Sequence, residues 1–100
     1  MIKVKIKYLE NSFSSIIIKG HAKSAEYGKD LVCAAVSAVV TGGCNAIKNV
    51  EDFKIELKEG LASIEALKTI TPHDEIVLET MIIGLKTIAE GNEKFIKIEQ

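Results

Sequence analysis

The sequence predicts an α+β domain, a mostly antiparallel sheet packed with two helices in the order ββαββαβ, and three observations lead there. Residues 2–8 alternate strictly between apolar and polar side chains. Two segments, one opening at Asp30 and one at Thr71, carry start signals followed by helix-length apolar patterns. The stretches after each helix return to short, alternating apolar runs bounded by turn residues.

Ile2, Val4, Ile6 and Tyr8 fall on one face of the first segment and Lys3, Lys5 and Lys7 on the other, the signature of a half-buried strand. Glu10-Asn11-Ser12 is turn material, and Phe13 to Lys19, through Ile16-Ile17-Ile18, reads as a second strand that completes a hairpin. Gly20 to Lys29 has no periodicity, and at about ten residues it exceeds the usual connection of four to six, which marks a functional loop. Asp30 is then an N-cap for Leu31 to Val40. The β-branched residues of this segment compete for a strand reading. Its length, its alanines and its nearly all-round apolarity favour a buried helix, bent at Gly42-Gly43 and continuing over Asn45–Asn49.

Phe53, Ile55 and Leu57 alternate with charged residues, Glu59-Gly60 turns the chain, and Leu61 to Lys68 returns as a second hairpin. Thr71 is the N-cap of the second helix, with Pro72 at its first position and Asp74 closing a capping box. Leu78, Met81, Ile82, Leu85, Ile88 and Ala89 form its apolar stripe, opposed by Glu75, Glu79 and Lys86. Ile83 and Gly84 lie off that stripe and are candidates for a contact between two copies. Gly91 ends the helix, and Phe95 to Ile98 is a last short strand. No linker, repeat or low-complexity tract divides the chain, so residues 1–100 are read as one domain.

Composition narrows the function classes. Thirteen basic residues stand against 14 acidic ones, for a formal net charge of −1. No basic excess offers itself to a phosphate backbone, so direct nucleic-acid binding is not expected, and Lys3, Lys5 and Lys7 are read as a solvated strand face. The N-terminus lacks the continuous apolar core of a signal peptide, and no apolar run approaches the roughly 20 residues that span a bilayer; a cytoplasmic protein is expected. So small a domain gains from self-association. Were Cys33 and Cys44 on one helix, eleven residues at 1.5 Å rise would hold them about 16 Å apart, beyond the roughly 7 Å that a disulfide permits. Two thiols are expected, in keeping with a reducing compartment. No His and Cys set has zinc-ligand spacing, so no metal is expected. Cys44 is read as a buried structural thiol and His73 as a solvent-exposed helix residue.

Cys33 is the candidate nucleophile. If Asp30 caps, Cys33 takes the third helical position, where unpaired amides and the positive end of the helix dipole stabilise a thiolate. His21 sits just after the second strand, at the mouth of the loop that returns the chain to Cys33, and a histidine beside a helix-terminal thiol is the pairing that thiol catalysis requires. The spacing alone leaves a second reading open, with Cys33 a small buried hydrophobe and His21 a satisfied loop residue. Asp30 is read first as a plain cap and second as a group orienting His21. Gly28 is a hinge or a positive-φ turn, Tyr27 a substrate contact or a loop anchor, and Ser37 a packing residue first and an active-site support second.

Gly20-His21-Ala22, then Tyr27-Gly28, then Asp30-Leu31-Val32-Cys33-Ala34-Ala35-Val36-Ser37 closely resembles the signature of the ribosomal-processing cysteine proteases, the Prp family. The likeness runs along the whole chain. It implies a bacterial cysteine endopeptidase that removes a short N-terminal extension from a protein of the large ribosomal subunit. It also implies Cys33 as nucleophile, His21 as its base, no metal or organic cofactor, and a homodimer. The segment Ala22 to Lys29 is then a mobile loop over the substrate, and Gly20, Ala22, Tyr27 and Gly28 belong to the substrate-binding side of the site. Two other readings predict different chemistry. A non-catalytic ribosome-associated interaction module would tolerate Cys33→Ala, and a thiol redox sensor would need a resolving thiol nearer to Cys33 than Cys44.

Overall fold

Alternation builds the first hairpin. Strand β1 (Ile2–Leu9) buries Ile2, Val4 and Ile6 and exposes Lys3, Lys5 and Lys7. The register of its pairing with β2 (Ser12–Lys19) shifts between Lys7 and Tyr8, so the alternation ends there and Tyr8 is exposed, not buried with the other three. Glu10 and Asn11 link the strands with φ of 51° and 68°, the two left-handed residues of a tight hairpin turn. The computed structural model describes residues 1–21 and 30–100.

Helix α1 (Leu31–Ala46) begins at the N-cap Asp30, and strands β3 (Phe53–Lys58) and β4 (Leu61–Ala66) follow a short 3₁₀ turn at Val50–Asp52. Helix α2 (Pro72–Ala89) begins at the N-cap Thr71, and β5 (Ile96–Glu99) closes the order. The five strands form one sheet in the order β3-β4-β2-β1-β5, antiparallel throughout except for the parallel pair β1 and β5. The ββαββαβ α+β reading therefore holds. The parallel edge follows from α2, which carries the chain from β4 past two strands to the far side of the sheet.

The core lies between the sheet and the helices. Val4, Ile16, Ile64 and Ile96 from the strands meet Val36 and Val40 of α1 and Leu78, Met81 and Leu85 of α2. Helix α1 runs on through Gly42-Gly43 but stops at Ala46, short of Asn49. Gly43 serves a close helix contact: a Cβ there would collide with Met81 of α2. Gly84 has the same part on the other helix, where a Cβ would come within 3.1 Å of Val39, so it faces α1 and not a second copy. Ile83 remains on the outside, exposed. No helix among the described residues is long and apolar enough to cross a membrane.

Asp74 departs from its capping-box assignment. The Thr71 hydroxyl does accept from the Asp74 amide, at 3.4 Å. The Asp74 carboxylate, fully buried, instead accepts from the amides of Lys48 and Asn49 at 2.9 and 3.0 Å, tying the start of α2 to the chain that leaves α1. His73 beside it is exposed, as the sequence suggests, with its Nε2 3.1 Å from the Ala46 carbonyl oxygen. Burial opposes ionisation of Asp74. The two backbone amides, His73 and the Thr71 hydroxyl outweigh it and hold the carboxyl below the usual range. A depressed folded value means that the stabilisation is whole above the unfolded value of about 3.9 and is lost as pH falls through the folded one. Asp74→Asn, which puts an amide donor against two backbone donors, should cost about 2–3 kcal/mol in denaturant melts at neutral pH. The variant's deficit should shrink as the melts are repeated at falling pH below about 4.

Candidate active site

Antiparallel pairing decides what stands beside His21. In the β2–β4 register Lys19 lies opposite Leu61, so the end of β2 arrives next to the β3–β4 turn. The amide of Gly20 donates to the carbonyl of Gly60 at 3.0 Å, closing this junction. Gly20 has φ of 99°, and a Cβ there would collide with the Met1 carbonyl oxygen, so the residue before His21 must be glycine. His21 follows, exposed, with its ring against the turn.

Cys33 is placed by a helix start. Asp30 accepts from the Cys33 amide through Oδ1 at 3.0 Å, and its carbonyl accepts the Ala34 amide at 3.1 Å, so the N-cap reading of Asp30 holds. Cys33 is thus the third residue of α1, half-buried, inside the positive end of the helix dipole. Its own amide serves the cap, and the amides of Leu31 and Val32 are the other first-turn groups without an intrahelical acceptor.

His21 and Cys33 line one cleft of about 280 Å³. One wall is α1, where Cys33, Ser37 and Thr41 recur every four residues above Val36 and Val40. The facing wall is the β3–β4 turn with its flanks, Leu57 to Ala62, and Ile2, Ile18 and Gly20 complete the lining. Ser37 is exposed along the cleft beside Cys33, not packed into the core as the helix pattern suggests. Thr41 and the turn residues were not among the sequence candidates. The polar spacing 33, 37, 41 on an otherwise apolar helix is a signal that would have found Thr41. Nothing local marks the Glu59-Gly60 turn as a wall of a cleft, since long-range pairing brings it there.

Gly20, His21 and Cys33 are therefore together, with Asp30 at the helix end beneath Cys33; Ala22, Tyr27 and Gly28 lie outside the described residues. No disulfide joins Cys33 to Cys44. Cys44 is half-buried against the core, and burial pushes its thiol above the ordinary range, which makes it a poor thiolate source at neutral pH.

Comparison with known proteins gives the family. The family model for cysteine protease Prp matches residues 1–97. The ribosomal processing cysteine protease Prp of Mycoplasma genitalium is 38% identical over all of this chain and 96% of its own length. That of Bacillus subtilis is 37% identical over 74% of this chain and 73% of its own. The crystal structure of the essential ribosomal processing protease Prp from S. aureus, in complex with a covalently linked product peptide, superposes with a TM-score of 0.89. It shares 33% identity, with 99% of this chain and 98% of that one covered. With sequence along nearly its whole length and its fold in agreement, the chain belongs to the Prp family of ribosomal-processing cysteine proteases.

Proposed function

We propose that the protein is an endopeptidase that removes a short N-terminal extension from a protein of the large ribosomal subunit, with Cys33 as nucleophile and His21 as general base and acid. The observation that carries this reading is the convergence of a helix-start cysteine and a strand-end histidine on one cleft, within a family of ribosomal-processing proteases. In the first step the Cys33 thiolate attacks the scissile carbonyl carbon and a C–S bond forms. The electron pair displaced onto oxygen is held by the amides of Leu31 and Val32 at the start of α1. As the tetrahedral species collapses, the C–N bond breaks, and protonated His21 gives its proton to the leaving amine. Water then attacks the thioester while His21 takes its proton; the C–S bond breaks and the carboxylic acid leaves, restoring the thiolate.

Asp30 supports this chemistry by fixing where α1 begins, and with it the direction of Cys33. Gly20, Ala22, Tyr27 and Gly28 form the substrate-binding side, and the reaction as written needs no metal or cofactor. The protein works in the cytoplasm as a homodimer, a reading favoured by the exposed Ile76 and Ile83, one heptad apart on the outside of α2. Light scattering that returned a monomer mass at micromolar concentration would rule out the dimer. The proteolytic reading is tested by mass spectrometry of a peptide spanning the N-terminal junction of the ribosomal protein. A single cut made by the wild type supports it. An intact peptide that nonetheless binds returns the chain to a binding module.

A further inference from the structure

We infer that Gly60, in the turn between β3 and β4, is a positioning residue that seats the His21 imidazole for the reaction. The inference rests on the base role proposed for His21. The strand end that bears His21 is tied to this turn by the Lys19–Leu61 pairing and by the bond from the Gly20 amide to the Gly60 carbonyl at 3.0 Å. The imidazole itself then closes over the bare Cα. A Cβ on Gly60 would stand 3.2 Å from Nε2, 3.8 Å from Cε1 and 3.9 Å from Cδ2. The nearest ring atom is thus a nitrogen, and its approach is tighter than an ordinary carbon contact. A methyl group there moves the ring by a few tenths of an ångström or more, and small displacements of a proton-transferring group are costly to rate. Gly60 also has φ of +75°, so the turn that carries the seat calls for glycine on its own account.

Two effects are therefore superimposed in Gly60→Ala, backbone strain and displacement of the ring, and Gly91 separates them. Gly91 has nearly the same φ, +79°, with nothing among the described residues within 4 Å of where its Cβ would stand and no place in the cleft. Gly60→Ala and Gly91→Ala should lose comparable thermal stability. Only Gly60→Ala should lower kcat, by about tenfold or more, with KM little changed and the pH dependence of kcat/KM displaced. Gly60→Asn keeps the added Cβ with less backbone cost, since asparagine tolerates positive φ. It should show the same loss of kcat in a more stable protein, and it serves as the reading should the alanine variant fold poorly. In a His21→Ala background the Gly60 substitution should have no further effect on the residual rate.

Equal activity of the Gly60 and Gly91 variants, with His21→Ala strongly impaired, overturns the positioning role and leaves the base assignment standing. A further fall in rate when Gly60 is replaced in the His21→Ala background also overturns it, since Gly60 would then act by another route. Full activity of His21→Ala overturns the base assignment, and the inference with it.

Discussion

Cys33→Ala should abolish peptide cleavage, with a loss of at least ~10⁴-fold in kcat/KM, while the melting temperature stays close to that of the wild type. The size follows from covalent catalysis: without Sγ no thioester forms, and only binding and the helix-start amides remain to help water attack directly. Stability should change little because Cys33 is half-buried at the cleft and its cap bond runs through its backbone amide, which alanine keeps. Cys33→Ser should be nearly as inactive, since its hydroxyl is far harder to ionise at the same helix position. Cys44→Ala provides the contrast. It removes a core-packed thiol that lies outside the cleft, so it should weaken the fold modestly and leave cleavage in place. The measurement is steady-state cleavage of the junction peptide alongside thermal melts of all three variants.

His21→Ala comes next in magnitude, with an expected loss of about 10²–10⁴-fold in kcat, the range of a general acid–base group. The ring is exposed at a strand end, so its removal should scarcely disturb stability. Two readouts distinguish loss of proton transfer from loss of binding. The pH dependence of kcat/KM should lose the limb that His21 contributes. A substrate with a better leaving group than a peptide amine should be less affected, because its departure needs less help from a proton donor. A variant with unchanged kcat and a raised KM would instead make His21 a substrate contact.

Local chemistry was the legible part of this chain. The N-caps Asp30 and Thr71, Pro72 at the head of α2 and the Ile2-Val4-Ile6 alternation act within a few residues, and each appears in the structure as read. So does the placement of Cys33, which depends on nothing beyond the cap three residues before it. The pattern misled where a distant partner competed with a local one. The Asp74 carboxylate had a nearby capping-box amide to satisfy, but in the fold the chain leaving α1 passes the start of α2, and its Lys48 and Asn49 amides claim the carboxylate. Tyr8 left its expected face for a similar reason, a shift in strand pairing that its own alternation does not encode. The wall of the cleft opposite α1 was illegible for the same physical cause. Leu57 to Leu61 look like an ordinary hairpin turn, and only the β2–β4 register brings Gly60 to His21.

Covalent trapping asks whether the cleft between α1 and the β3–β4 turn cuts peptide through Cys33 with the help of His21. A chloromethyl ketone built on the residues that precede the scissile bond would be incubated with the wild type, with His21→Ala and with Cys44→Ala, and the adduct located by peptide mapping. One adduct per chain is expected on Cys33 Sγ, unchanged in Cys44→Ala and formed much more slowly in His21→Ala. An adduct on Cys44, or a protein that still cleaves substrate after Cys33 is fully blocked, would contradict this chemistry.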